Sequence, residues 1–244
     1  MKKILITNDD GINSNGIIRL AEAAKEFGDV WVVAPESQRS AMSHSVTLRH
    51  SVEVWEVDFP VPGIQAYACN GTPADCVRIG SLNIVPEKPD HVFSGINYGY
   101  NVASDLQYSA TAGAALEAAF QKIHAIAFSE DAKEEHEVTD QYIKEIMAEL
   151  IDMPLGTNEI WNVNFPACKI NECRGILRNR TVSLENFYND RYNETVVSEK
   201  KKSYMVEGIR NYEASEGTDL KAVFDRYISI GKVCNLSSPV GVGF

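Results

Sequence analysis

The sequence predicts an α/β protein built on a mainly parallel sheet with flanking helices, and three observations predict it. Short apolar runs rich in β-branched or aromatic residues alternate with segments of helical period. Each run ends in polar or proline residues, as buried parallel strands do. The helical segments carry start and stop signals at their ends. A length of 244 residues with 44% hydrophobic and 23% charged residues suits such a fold, because a core of that size needs no disulfide staples.

Lys3 to Thr7 reads as the first buried strand, Val30 to Ala34 as the second, and Asp90 to Ser94 and Ala125 to Phe128 as two more. Ile17, Leu20, Ala21, Ala24 and Phe27 recur at the helical period and stop before Gly28, a residue suited to the position past a helix end. Thr72-Pro73 places a capping hydroxyl before a proline at the first helical position, so a second helix begins there. The alanine-rich stretch Thr111 to Lys122 predicts a third helix, and Val138 to Ile151 a fourth. Beyond residue 165 the alternation weakens. Arg174 to Ser183, Glu194 to Ser198 and Tyr204 to Val206 read as strands, Thr218 to Phe224 as a helical stretch, and Lys200 to Lys202 as a solvated turn. The chain, 1–244, reads as one α/β domain that carries a C-terminal β-hairpin or arm extension over about 174–212.

A net charge of −11 repels a polyphosphate backbone, so long nucleic acid is excluded as a partner, whereas one small phosphate in a metal-lined pocket is not. Five cysteines, an odd number without C-x-x-C spacing, read as reduced thiols and a cytoplasmic setting. The apolar start Ile4-Leu5-Ile6 is too short for a signal peptide or a membrane span.

The first strand ends in Thr7-Asn8-Asp9-Asp10-Gly11, which brings two carboxylates to the carboxyl edge of a parallel sheet, where open α/β folds bind ligands. Adjacent carboxylates repel unless a cation or proton neutralises them, so the pair reads as a metal seat or, alternatively, as a helix cap. Gly11 and Gly16 have P-loop spacing, but Ile17 and Ile18 occupy the Lys and Ser/Thr positions, so this is not a P-loop. The second strand runs into the polar segment Glu36 to Ser45, in which Ser40 reads as a cation ligand or a turn residue and His44 as an accessory acid or base. The third leads into Gly95-Ile96-Asn97-Tyr98-Gly99-Tyr100-Asn101, an amide-bearing rim or an Asn-Gly turn. Ser109 and Thr111 open the alanine-rich helix as phosphate binders or as simple caps. Together Asp9, Asp10, Ser40 and Asn97 compose an all-oxygen set suited to one Mg²⁺ or Mn²⁺ rather than Zn²⁺, and phosphate-ester hydrolysis is the chemistry that follows.

Ile6-Thr7-Asn8-Asp9-Asp10-Gly11-Ile12, Val33-Ala34-Pro35, Ser40 with Ser43 to Thr47, Gly71-Thr72-Pro73-Ala74-Asp75-Cys76-Val77 and Ser94-Gly95-Ile96-Asn97 resemble the SurE (survival protein E) family. The resemblance continues through Asp105, Tyr108 to Thr111, Ala114 to Glu117, Asn162 to Pro166 and Glu216 to Asp219, and is least clear over Arg174 to Tyr212. It implies a Rossmann-like fold and a 5′-nucleotidase that hydrolyses nucleoside 5′- and 3′-monophosphates, and short polyphosphate, with one divalent cation, Mn²⁺ or Mg²⁺, per subunit. It also implies metal ligation by Asp9, Asp10, Ser40 and Asn97, with Asp9 or Asp10 catalytic. Asn97, Asn101, Ser109 and Thr111 would face the phosphate, and the C-terminal arm would build a homodimer or homotetramer. Two positions depart from the family pattern. Ala110 replaces a common Gly, which would tighten the phosphate nest, and Tyr98 replaces a frequent Arg, which would alter contact with the leaving nucleoside.

An acidic sheet edge also suits a receiver-like, Mg²⁺-binding phospho-switch, but such domains are short and no strand-end Asp and Lys pair stands where the phosphoacceptor and its partner belong. A metal-dependent phosphoryl or glycosyl transferase is the other reading.

Overall fold

The computed structural model describes residues 1–234. At its centre is β1 (Lys2–Thr7), which pairs in parallel with β2 (Gly28–Pro35) on one side and with β5 (His91–Tyr98) on the other. Beyond β2 lie β4 (Gln65–Cys69), parallel, and β3 (Val54–Val57), antiparallel at the edge. Beyond β5 come β6 (His124–Glu130) and β7 (Ile160–Phe165), both parallel. Then follow the antiparallel β11 (Ile228–Val233) and the two-residue β8 (Ile176–Leu177). The nine-stranded order is β3-β4-β2-β1-β5-β6-β7-β11-β8. From β1 the chain builds outward first toward β2, then toward β5. The crevice between β1 and β5 is therefore a topological switch point, where open parallel sheets seat ligands.

Alternation along β1 divides the core. Ile4 and Ile6 face α1 (Asn15–Ala24) and α4 (Glu137–Leu150), where Ile17, Leu20, Ile146 and Met147 close one face. Leu5 faces α2 (Pro73–Ile79) and α3 (Ala110–Phe120), where Cys76, Val77, Ala112 and Ala115 close the other. Every residue of α3 from Ala110 to Ala119 is buried. Its small side chains let it lie close to the sheet, which is why it shows alanine content rather than an amphipathic stripe. Each fully buried Ile, Leu or Phe contributes roughly 1.5–3 kcal/mol. α2 starts as expected, with Thr72 and Asp75 forming a reciprocal capping box and Pro73 in the first turn.

Four strands escape the periodicity reading. β3 is a short edge strand carrying Glu56, and β4 is mostly small residues. β7 has Asn162 and Asn164 at alternate positions, and β11 has Ser229, Gly231 and Lys232 among its apolar residues. The expected strand over Arg174 to Ser183 shrinks to β8 plus a single bridge at Thr181, because Asn179 turns the chain at φ 58°. The two expected hairpin strands lengthen into β9 (Tyr188–Ser198) and β10 (Lys201–Arg210), an antiparallel pair apart from the main sheet. Lys201 and Lys202 belong to β10 rather than to a turn, with Lys202 Nζ 2.8 Å from Glu194 on the facing strand. α5 (Asp219–Phe224) follows the hairpin.

His91, at the start of β5, is 6% exposed, its Nδ1 has no partner, and its ring meets that of His124 edge-on at 5.2 Å. Burial first, then the nearby His124 and Lys2, lower its pKa from 6.5 to about 4, against the smaller opposing pull of Asp90 and Asp152. The neutral ring is thus the folded form. Its contribution is intact above pH 6.5 and is lost as pH falls toward 4. The urea midpoint of the wild type should therefore drop over that interval, and His91→Gln should flatten the drop.

Candidate active site

The turn after β1 is stapled by Asn8, whose Nδ2 donates to the Gly11 carbonyl at 2.9 Å and to Ser14 Oγ at 2.8 Å, while Gly11 N donates to Asn8 Oδ1 at 3.2 Å. Ser14, not an aspartate, occupies the N-cap position of α1. The carboxylates are thereby left for the rim.

Asp9 is 4% exposed. Thr111 Oγ1, at the start of α3, donates to Asp9 Oδ1 at 2.5 Å and lies 3.3 Å from Asn97 Oδ1. Asn97 Nδ2 is committed to the Gly99 carbonyl at 2.7 Å, which turns its oxygen toward Thr111. One hydroxyl proton cannot serve two acceptors, so three oxygens converge with lone pairs to spare. Asp10 accepts from Tyr98 N at 2.9 Å and from Gln38 Nε2 at 3.4 Å. Burial, assisted by the charge of Asp10 and opposed by the Thr111 hydrogen bond, pushes Asp9 from 3.8 up to about 7. Burial also raises Asp10. Among the described residues no Lys or Arg forms an ion pair with either aspartate, and no group of three or more His, Cys, Asp or Glu converges as a metal site. The rim is thus a hard-oxygen donor set with uncompensated negative charge, which fits a divalent cation.

The other expected residues lie as follows. Ser40 is exposed on the 36–47 loop, and the residue before it is tied to the rim by Arg39 N donating to the Asp9 carbonyl at 2.6 Å. Asn101 is buried in an amide cage. Its N–H donates to Asn164 Oδ1 at 2.8 Å, its Nδ2 to Ser129 Oγ at 2.8 Å, and its carbonyl accepts from Asn162 and Asn164. The buried asparagines that disguise β7 are therefore what holds this segment. Ser109 Oγ caps α3 by accepting from Ala112 N at 3.0 Å. Ala110 takes an ordinary helical conformation as the first residue of α3, so the expected tightening there has no basis. His44 is turned away from the rim. Its Nε2 is 2.9 Å from Glu117, in the second turn of α3, and its ring packs on Phe120 at 5.1 Å.

The Gly71 to Asp75 block holds the 36–47 loop. Asp75 accepts from Thr47 N at 3.0 Å and Thr72 Oγ1 donates to the Ser45 carbonyl at 2.7 Å. Gln38, Glu130 and His136 escape the sequence reading, although all line a cleft of about 300 Å³ next to Asp10. Glu130 ends β6 at the same sheet edge as the aspartates, a signal that strand-end position alone carries.

Fold and rim together define an α/β protein in which hard oxygen donors and a helix N-terminus meet at a switch point. The model of the family described as survival protein SurE matches residues 4–189. The chain belongs to the SurE family. It is 38% identical over 232 residues to a protein named 5′-nucleotidase SurE from Clostridium botulinum (strain ATCC 19397 / Type A), covering 93% of this chain and 90% of that one. It is likewise 38% identical over 231 residues to 5′-nucleotidase SurE from Thermoanaerobacter sp. (strain X514), with the same coverage. The crystal structure of the SurE protein from Aquifex aeolicus superposes with a TM-score of 0.82 at 32% identity, over 97% of this chain and 95% of that one. Among the described residues no helix is long and apolar enough to cross a membrane.

Proposed function

We propose that this chain is a divalent-metal-dependent 5′-nucleotidase that releases phosphate from nucleoside 5′- and 3′-monophosphates. The observation that carries the proposal is the convergence of Asp9, Asn97 and Thr111 oxygens at the switch point, beside Asp10, with no counter-charge. The relatives' printed names support the nucleotidase reading.

Asp9, Asp10 and Asn97, with Ser40 from the loop, would hold the cation. A divalent ion there supplies Lewis acidity toward phosphoryl oxygens. The chain's own residues do the rest. The N-terminus of α3 presents backbone N–H groups and a favourable dipole to the phosphate, with the Thr111 and Ser109 hydroxyls alongside. The Asn101 cage holds the adjoining segment rigid, so that positioning costs little at the moment of reaction. Asp9, with a pKa pushed up to about 7 in the metal-free protein, and Asp10 are the groups able to take a proton from attacking water. His44, engaged with Glu117, supports the loop that carries Ser40. The exposed apolar residues of the hairpin, among them Tyr192, Val196, Tyr204 and Met205, are the surface on which a homodimer or homotetramer would form. The charge balance and thiol count suit a cytoplasmic enzyme.

A panel of nucleoside 5′- and 3′-monophosphates, short polyphosphate and p-nitrophenyl phosphate tests the reading. Phosphate release should appear with Mn²⁺ or Mg²⁺ and fall at least a hundredfold with EDTA, roughly the loss of several kcal/mol of transition-state stabilisation. Release that EDTA leaves untouched would remove the metal from the mechanism. Transfer to an acceptor other than water would instead favour a transferase.

A further inference from the structure

The cleft beside Asp10 lies between the N-terminal ends of α1 and α4, and Asp10 is a wall common to it and to the rim. Its chemistry is the opposite of a phosphate site. Asp10, Glu130 and Glu134 line it, and no Lys or Arg does. Glu130 is held from behind by Arg19 at 2.7 Å and by Thr139 Oγ1 at 2.7 Å, so its carboxylate is a fixed part of the wall. His136 Nδ1 approaches Glu130 Oε1 at 3.0 Å without the alignment of a hydrogen bond, and its Nε2 is 3.7 Å from Glu134. Tyr98 is 49% exposed, and its backbone N–H, bonded to Asp10 at 2.9 Å, fixes its place relative to the rim. The cleft thus combines an aromatic side chain, acceptor carboxylates and a volume of about 300 Å³, next to the place where a phosphate would be held.

A phosphate ester has one dianionic end and one neutral end. A cleft whose lining holds three carboxylates, one histidine and no lysine or arginine disfavours the first and offers acceptors to N–H donors on the second. Resting on the phosphatase reading of the rim, we propose that this cleft is the base subsite. The base stacks on Tyr98 and donates an exocyclic amine to Glu134, so that amine-bearing bases are preferred over their oxo counterparts. Stacking on an aromatic ring tolerates any base, so the discrimination comes from the carboxylate. A carboxylate accepts from an amine but meets the carbonyl of hypoxanthine or uracil with like-sign lone pairs.

The test compares kcat/KM for AMP with IMP and for CMP with UMP, using p-nitrophenyl phosphate as a base-free ester, in the wild type, Glu134→Gln, Tyr98→Ala and Tyr98→Phe. Glu134 is highly exposed, so its variant should fold. The expected wild-type preference for the amine-bearing member is about tenfold, the scale of one charge-assisted hydrogen bond to Glu134 once the bound base covers it. Glu134→Gln, which can donate as well as accept, should bring both ratios close to one. Tyr98→Ala should lower AMP relative to p-nitrophenyl phosphate about tenfold through KM, and Tyr98→Phe should restore it. Phosphate release with wild-type ratios in Glu134→Gln and Tyr98→Ala would overturn the base subsite and leave the phosphatase reading standing. No release from any ester with Mn²⁺ would overturn both.

Discussion

Asp9→Asn is expected to leave the fold intact and to lower kcat/KM for AMP with Mn²⁺ by about 10³-fold, the loss of several kcal/mol of charge stabilisation in the transition state. The substitution is nearly isosteric, and the amide oxygen can still accept from Thr111. What it removes is the negative charge that a cation needs. Because that charge is buried without a counter-charge, metal-free Asp9→Asn should be at least as resistant to urea at pH 8 as the metal-free wild type. Steady-state kinetics and urea unfolding on the same preparation check both halves. Activity within tenfold of wild type would mean that Asp9 does not hold the cation.

Gly95→Ala should have the largest effect on stability, a loss of about 3 kcal/mol or more, or no soluble protein. Gly95 precedes the rim segment on β5 at φ +136°, and a Cβ there would lie 2.2 Å from the Phe128 carbonyl oxygen of β6. Backbone strain and a clash with the neighbouring strand therefore coincide. Gly99, at φ +131°, is the control, because its nearest neighbour is the Asn97 side chain at 3.6 Å. Gly99→Ala carries only the conformational term, about 1–2 kcal/mol. Urea midpoints for the pair separate strain from clash.

The candidate site was legible where chemistry coincides with position along the chain. Asp9, Asp10 and Asn97 stand at ends of strands whose apolar runs mark them plainly, and parallel strands bring their carboxyl ends to one edge. Thr111 was legible as the opening of a helix, but its bond to Asp9 was not, because 102 residues separate the two. The 36–47 loop shows only polarity in sequence. Its shape comes from distant partners, Asp75, Gln107, Tyr108 and Glu117, which no local pattern announces. β7 was hidden for a related reason: Asn162 and Asn164 point inward to hold Asn101, so a strand buried on both faces lacks the continuous apolar run that marks its neighbours. Glu130 and His136 went unread because their meaning depends on the cleft that α1 and α4 form around them.

A divalent cation held where Asp9 is buried should make itself felt in thermal unfolding with and without Mn²⁺ across pH 5 to 9. In the metal-free protein Asp9 is raised from 3.8 to about 7, so the folded state holds that proton more tightly than the unfolded chain. Stability from this group is present at low pH and is lost as pH rises through 7, when the buried carboxylate must ionise. A cation that binds the ionised form offsets that loss. The Mn²⁺-induced rise in Tm should therefore be small at pH 5, grow through pH 7 and vanish in Asp9→Asn. A rise that does not change with pH, or that survives in Asp9→Asn, would mean that Asp9 does not hold the cation.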